Sequence, residues 1–144
     1  MPKVIREREM AVPLKALRQV VVDVESYPKF LPEVVSAQVE KGATARRMRV
    51  NFELEVVKRF QYSLDFDISD DVVAWKLVKS NFFKVNEGRW VLKSVDSDHT
   101  FATYELDVDF GFLVPQWISR KLTEISLPKM LENFETRTKQ VNSL

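Results

Sequence analysis

The chain has 144 residues, the size of one ordinary domain, and its 22 Lys and Arg against 21 Asp and Glu leave a net charge of +1. That balance argues against a dedicated nucleic-acid-binding protein, because such proteins normally carry a basic excess. The sequence contains no Cys and a single His, His99, which excludes disulfides, zinc–thiolate sites and multi-histidine metal sites within one chain. Aromatic residues, in contrast, make up 11% of the chain. We therefore expect large apolar side chains, and no cofactor, to carry the function.

A charged strand and then a helix are expected at the start of the chain. The strand covers about residues 3–11, and its phase is unclear, so that one of the charged residues 6–8 could face inward, where it would need a partner. Pro13 suits the first position of the following helix, where its missing amide hydrogen costs nothing. The β-branched residues 20–22 leave a strand as the alternative. The helix is indicated by apolar residues at helical spacing: Leu14, Leu17, Val20, Val21 and Val24.

Two prolines interrupt the chain after this helix. Pro28 should end the helix, because the residue before a proline avoids helical geometry. Pro28 and Pro32 then enclose a short turn or a single helical turn that carries Phe30 and Leu31. These apolar residues, like Phe83 near a later strand connection, either cap the core locally or form a lid over a cavity. A lid of this kind could also dip into a membrane to exchange a lipid.

The middle of the chain alternates apolar and polar residues with a period of two, which indicates half-buried strands. Six such strands follow one another over residues 34–110, with turn signals at 42–44, 70–71 and 96–98. Strands in series with short turns form an antiparallel meander that has one apolar and one polar face. The apolar phase contains most of the aromatic residues of this region: Phe52, Phe60, Tyr62, Phe66, Trp75, Trp90, Tyr104 and Phe110.

A long helix is expected at the end of the sequence, from about residue 115 to residue 141. Pro128 lies inside this range and should kink the helix or split it in two. We predict an α+β fold with one domain over residues 1–144, in which a curved antiparallel sheet of about seven strands wraps around the long C-terminal helix. The helix shows a broad apolar stripe: Trp117, Ile118, Leu122, Ile125, Met130, Leu131, Phe134 and Val141.

Three parts of the sequence carry a resemblance to a known family. Residues 23–32 are similar to a D-x-x-x-Y-P-x-F-L-P stretch, residues 83–84 with 88–90 to F-[KR]…G-x-W, and residues 133–137 to A-F-x-x-R, with Asn in place of Ala. These patterns resemble those of the START, or helix-grip, superfamily. Within it they resemble the coenzyme Q-binding START proteins and their bacterial relatives, described as ribosome-association toxins or as polyketide cyclase-like proteins.

The resemblance covers essentially the whole chain and implies the helix-grip fold. It also implies an internal apolar cavity between the sheet and the long helix, which in this family holds quinones, lipids, sterols or polyketides. Residues 33–34 and 80–82 depart from the family pattern. Those departures bear on the identity of the ligand more than on the fold.

The inner face of the predicted sheet is the main candidate site, since its apolar side chains either fill a core or surround a ligand. With the resemblance, we expect noncatalytic carriage or chaperoning of a hydrophobic small molecule such as a quinone or a lipid, with no metal. Tyr62 and Tyr104 could offer a hydroxyl group to a ligand carbonyl. The candidate ligand-binding residues are Phe30, Leu31, Phe52, Phe66, Trp75, Phe83, Trp90, Tyr104, Phe110, Trp117, Ile118 and Leu122.

Two other functions stay open at the level of sequence. One is a ribosome-association toxin-like interaction protein, and the other is a polyketide cyclase or dehydratase. The first would use basic residues around one hairpin, which otherwise form a solvated outer face or a membrane-binding surface. That basic cluster comprises Arg46, Arg47, Arg49, Lys58 and Arg59.

The remaining charged groups favour no catalytic site. His99 lies beside Asp96 and Asp98 in what we interpret as an exposed turn. The carboxylates of the polar strand phase, at residues 65, 67, 107 and 109, are expected to be solvated. No signal peptide or membrane-spanning stretch is apparent, so a cytoplasmic protein without a DNA partner is expected.

Overall fold

The computed structural model describes residues 3–56, 58–111 and 114–142. Within these ranges, seven strands form one antiparallel sheet in the order β1-β7-β6-β5-β4-β3-β2. Strands β2 to β7 pair with their neighbours in sequence, which confirms the predicted meander, and β1 closes the far edge by pairing with β7. The strands are β1 Lys3–Met10, β2 Val34–Val39, β3 Arg47–Val56, β4 Lys58–Ile68, β5 Val72–Ser80, β6 Val85–Asp96 and β7 His99–Asp109.

The first helix, α1, spans Leu14–Val22 and contacts both the C-terminal helix and the sheet. Pro13 precedes the helix with an extended backbone, φ −65° and ψ 146°, so it lies one residue earlier than predicted. The β-branched residues at the end of α1 are helical, and the alternative of a strand there is wrong. Helical spacing places Leu17, Val20 and Val21 together in the core, which outweighs their weaker helical propensity.

A short 3₁₀ helix, Val24–Lys29, forms the segment around Pro28. The predicted turn was placed too late, because the helical turn contains Pro28 and ends before Phe30, and α1 ends well before Pro28. The hydroxyl of Tyr27 donates a hydrogen bond to the backbone oxygen of Val21 at 2.5 Å. This bond satisfies a carbonyl at the end of α1 and fixes the turn against the helix.

The C-terminal helix consists of α2 (Gln116–Lys121), a π-helical segment (Leu122–Ser126) and α3 (Leu127–Asn142), which follow one another without a break. The predicted kink or split at Pro128 is thus realised as a wider π-helical turn just before the proline. Proline has no amide hydrogen, and its ring would clash with a carbonyl in the preceding turn of a regular α-helix. A wider turn accommodates both effects without ending the helix.

The C-terminal helix packs on the inner face of the curved sheet, which confirms the helix-grip fold. Phe134 of α3 is the centre of this contact. Its ring lies 4.9 Å from that of Trp90 in β6, 5.3 Å from that of Tyr27 and 5.0 Å from that of Phe30, measured between ring centroids. The sheet, the 3₁₀ helix and α3 therefore share one apolar core.

Strand β1 brings two arginines to the inner side of the sheet edge. Arg6 pairs with Tyr104 and Arg8 with Ala102, both of which face the helix. The guanidinium of Arg6 donates to the backbone oxygen of Thr123 at 3.4 Å, and Arg8 Nε donates to Glu135 Oε1 at 2.7 Å. The expectation that an inward charge on β1 would need a partner is confirmed, and both partners belong to the C-terminal helix.

Candidate functional site

A cavity of about 150 Å³ lies between the inner face of the sheet and the C-terminal helix. Most of its lining is apolar. It comes from β2, β3, β4, β6 and β7, from the segments before β2, before β6 and after β7, and from the π-helical segment with the start of α3. The apolar lining residues are Leu31, Val34, Leu54, Phe83, Leu106, Val108, Phe110, Leu122, Leu127 and Met130. The polar ones are Glu33, Tyr62, Asn86, Tyr104, Thr123 and Ser126.

The candidate ligand-binding residues separate into several groups in the structure. Those that line the cavity are Leu31, Phe83, Tyr104, Phe110 and Leu122. Those that belong to the continuous core without lining the cavity are Phe30, Phe52, Phe66, Trp75 and Trp90. Ile118 is buried in a second, smaller cluster with Phe60 and Val114. Trp117 is 57% exposed and lies away from the cavity.

Trp117 and Ile118 differ because neighbouring residues of a helix point about 100° apart. Ile118 faces the sheet and is almost fully buried, so Trp117 has to face away from it. Placing both residues on one buried stripe was therefore wrong for Trp117. Ile125, which was assigned to the same stripe, is 65% exposed. It belongs to the π-helical segment, where the period differs from that of an α-helix.

Asn86 is a buried polar residue of the cavity lining that the sequence analysis did not single out. It occupies the inner phase of β6, two residues before Gly88 and four before Trp90. Its Oδ1 accepts a hydrogen bond from the indole Nε1 of Trp75 at 3.1 Å. The expectation that a buried tryptophan needs a partner for its N–H is thereby confirmed for Trp75. An Asn at an inward strand position was the signal available in the sequence.

Gly88 makes the packing of Trp75 possible. The two residues are cross-strand partners, and a Cβ atom at position 88 would lie 2.9 Å from Cζ2 of Trp75. It would also collide with the backbone oxygen of Glu105 on β7. The absence of a side chain at Gly88 therefore lets the indole pack against β6 and reach Asn86.

Replacing Gly88 with Ala is expected to lower the free energy of unfolding by about 3 kcal/mol, because overpacking against backbone cannot be relieved by a side-chain rotation. The intrinsic fluorescence of the protein should change as Trp75 is displaced. Gly42→Ala is the control, since a Cβ there meets no atom within 4 Å and only the positive φ of 93° is penalised. That strain is worth about 1 kcal/mol. If both variants lose the same free energy of unfolding and keep an unchanged fluorescence, Trp75 does not pack closely against Gly88.

Tyr62 and Tyr104 add two phenol groups to the cavity wall. Burial raises the pKa of both hydroxyls far above their usual range, and for Tyr104 the neighbouring Tyr62 adds to this effect. Both side chains are therefore protonated at neutral pH and can donate a hydrogen bond. Neither hydroxyl has a hydrogen-bond partner among the residues that the structure describes. Their rings are held by neighbours: Tyr62 stacks on Phe52 at 5.3 Å, and Tyr104 lies 5.2 Å from Trp75.

The chain matches the family model for polyketide cyclase / dehydrase and lipid transport proteins over residues 10–135. The protein belongs to this family. The match includes all of the strands from β2 to β7 and most of the C-terminal helix. The residues that line the cavity all lie within the range that the family model matches.

Solved structures of proteins with distant sequences share this fold. A START superfamily protein from Mycobacterium smegmatis is 19% identical, with a TM-score of 0.82 over 96% of this chain and 98% of that chain. The Zhui aromatase/cyclase from Streptomyces sp. R1128 is 15% identical, with a TM-score of 0.77 over 96% and 94% of the two chains. Human STARD10 is 17% identical, with a TM-score of 0.83 over 98% of this chain and 64% of that chain. None of the curated proteins matches this sequence.

The C-terminal helix of this family member is held to the sheet edge by Glu135. Its carboxylate accepts hydrogen bonds from Arg8 Nε at 2.7 Å and from the backbone N–H of Ala11 at 3.0 Å, and it lies 3.3 Å from Lys139 Nζ. Burial alone would raise the pKa of Glu135. The bonds from Ala11, Arg8 and Lys139 outweigh this and hold the pKa below its usual value. The carboxylate is thus ionised and structural at neutral pH.

The basic cluster is largely neutralised by neighbouring carboxylates. Arg49 forms a two-bond pair with Asp65 at 2.7 and 3.1 Å, and the pKa of Asp65 is lowered mainly by that hydrogen bond. Arg59 lies 3.3 Å from Glu55. These pairs fit the interpretation as a solvated outer face. Binding of the cluster to a membrane or to ribosomal RNA stays a prediction.

The remaining charged groups that the sequence singled out also lie outside the cavity. His99 Nδ1 is 2.9 Å from Asp96 Oδ1 at the exposed β6–β7 turn, and the Asp96 hydrogen bond raises the pKa of His99. Asp107 differs from the expected solvated carboxylates, because its Oδ1 is shielded from water without a donor among the described residues. No helix in the described ranges is long and apolar enough to cross a membrane.

Proposed function

We propose that this protein binds a hydrophobic small molecule, such as a quinone or a lipid, in the cavity and shields it from water without transforming it. The observation that carries the proposal is the cavity itself, whose lining is mainly aliphatic and aromatic and whose polar side chains, apart from Glu33, are uncharged. Affinity would come mainly from burying apolar ligand surface, which contributes about 25 cal/mol per Å².

The cavity volume limits what can be held without movement. Pockets for drug-sized ligands enclose about 300 Å³ or more. An apolar cavity of about 150 Å³ accommodates a molecule of the size of benzene. The present cavity therefore fits one ring or a short chain, and a longer ligand requires the walls to move. The π-helical segment is the wall best suited to move, because its wider turn has weaker backbone geometry than the flanking α-helices.

The proposal is tested by native mass spectrometry of the protein purified under mild conditions, followed by organic extraction. We expect a retained small molecule that is recovered unchanged. Titration with ethylbenzene, followed by ligand-observed NMR, provides a defined apolar probe of the same cavity. Recovery of a chemically altered compound after incubation would contradict the noncatalytic part of the proposal.

Filling the cavity should abolish binding. Leu122 belongs to the π-helical segment, is half-buried and lines the cavity, so Leu122→Trp is expected to weaken ethylbenzene binding at least tenfold, or about 1.4 kcal/mol. Ile125→Trp is the matched control, because Ile125 lies in the same segment but is exposed. It should bind the probe like the original protein. If Leu122→Trp retains full binding, the ligand does not occupy this cavity.

A further inference from the structure

Asn86 is a polar residue that is buried on the mainly apolar inner face of the sheet. Its side chain is only 7% exposed and points to the inner face, where the neighbouring inward positions of β6 are Gly88, Trp90 and Leu92. Burying a polar amide costs free energy unless its donors and its acceptor are all paired.

Trp75 determines the orientation of the amide. The indole N–H is only a donor, so the atom of Asn86 that faces it at 3.1 Å must be the oxygen Oδ1. The amide nitrogen Nδ2 then has to point elsewhere. It has no hydrogen-bond acceptor among the residues that the structure describes. Asn86 lines the cavity, and Nδ2 is not one of the fully enclosed polar atoms without a partner, so within the described residues it is a donor that faces the cavity space.

We infer that Asn86 Nδ2 is the specificity-determining donor of the cavity and that it selects uncharged ligands with a carbonyl oxygen. The inference rests on the proposed function, since it concerns the same cavity. Tyr62 and Tyr104 supply further donors from the same lining, because both phenols are protonated and lack a partner in the described part of the chain. A ligand carbonyl satisfies a donor that the folded protein leaves open, whereas a hydrocarbon does not.

The charges around the cavity narrow the ligand class further. Glu33 is the charged residue of the described lining, and Arg6, at the adjacent sheet edge, already donates to the backbone oxygens of Ile5 and Thr123. A carboxylate or phosphate group in this apolar space would lose its hydration next to Glu33, with no lysine or arginine among the described lining residues to pair with it, which is unfavourable. The site therefore favours a ketone, quinone or ester of an uncharged molecule over a fatty-acid anion of equal size.

Three single-ring probes separate the effect of a ligand carbonyl from the effect of a ligand charge in the intact protein. Acetophenone carries an uncharged carbonyl, ethylbenzene has nearly the same shape without an acceptor, and benzoate carries an anionic acceptor. We expect acetophenone to bind about fivefold more tightly than ethylbenzene, which corresponds to one hydrogen bond of about 1 kcal/mol. Benzoate should bind more weakly than both.

Asn86→Leu removes the donor while keeping a side chain of similar size. In this variant the preference for acetophenone over ethylbenzene should fall to about twofold or less, because only the phenols of Tyr62 and Tyr104 remain as donors. Ethylbenzene should still bind. An unchanged preference would overturn the inference and leave the proposed function standing. If none of the probes binds to the original protein in its folded state, the proposed function itself fails.

A second measurement needs no variant and stays valid if Asn86→Leu does not fold. In ¹⁵N-labelled protein, the side-chain NH₂ signals of Asn86 should shift on addition of acetophenone much more than on addition of ethylbenzene. The side-chain amide of Asn81, which is on the β5–β6 connection and outside the cavity lining, is the internal control. Equal shifts with both probes would overturn the role assigned to Asn86.

Discussion

Replacing Phe134 with Ala is expected to lower the free energy of unfolding by about 4 kcal/mol, the loss typical of a large buried ring. Phe134 is almost fully buried and contacts the rings of Tyr27, Phe30 and Trp90 in edge-to-face geometry. Its removal would leave a cavity where α3, the 3₁₀ helix and the sheet meet. Urea unfolding at neutral pH, followed by circular dichroism, measures the change.

Phe134→Leu is the control for this prediction, because it keeps most of the buried volume and should cost about 1.5 kcal/mol. The difference between the two variants reports the cavity rather than the loss of aromaticity alone. A loss below about 1 kcal/mol for the Ala variant would contradict the close packing of the helix on the sheet.

Glu135→Gln is expected to lower the free energy of unfolding by about 2 kcal/mol at pH 7, since charge-assisted hydrogen bonds are lost. The expected loss is smaller than for a fully buried ion pair, because the side chain of Arg8 is 42% exposed and water screens its interaction with Glu135. Glu132→Gln is the matched control. Glu132 lies about one helical turn before Glu135 and forms an exposed ion pair with Lys129 at 3.6 Å. Its replacement should change the free energy of unfolding little.

The same carboxylate predicts how stability depends on pH. Its pKa is lower in the folded protein than its ordinary value of 4.5, so its contribution is present above the unfolded-state pKa. The contribution is lost as the pH falls through the folded-state pKa. Unfolding measured from pH 7 downwards should therefore show a smaller acid-induced loss in Glu135→Gln than in the original protein. Parallel pH profiles for the two would refute the role of Glu135 as an ionised clamp.

The segments that carry the family resemblance meet in space, although they are far apart in sequence. Tyr27 and Phe30 of the first segment and Trp90 of the second all contact Phe134 of the third. Arg137, also of the third, lies over the ring of Phe30 at 5.7 Å. These residues hold the C-terminal helix against the sheet, and the cavity is lined mainly by others. The motifs therefore predicted the fold, and most of the cavity lining lies outside them.

The sequence by itself determined the sheet and the faces of the strands from β3 to β7. Alternation of period two identified β3, β4 and β7 and placed Phe52, Phe66 and Tyr104 on the inner side, because side chains of a strand point to opposite faces in turn. The order of the elements then allowed an antiparallel meander covered by one long helix. These are local and short-range properties, which is why one sequence was enough to predict them.

Only the tertiary structure decided which inner residues fill the core and which surround a space. That distinction depends on how closely the helix approaches each part of the curved sheet, and local pattern does not record this distance. Trp75 and Tyr104 share the same phase, yet Trp75 is packed in the core while Tyr104 lines the cavity. The orientation of Asn86 likewise follows from Trp75, a neighbour eleven residues away that Gly88 allows to approach. Long-range contacts of this kind, and not composition, turn an aromatic-rich chain into one with a defined binding cavity.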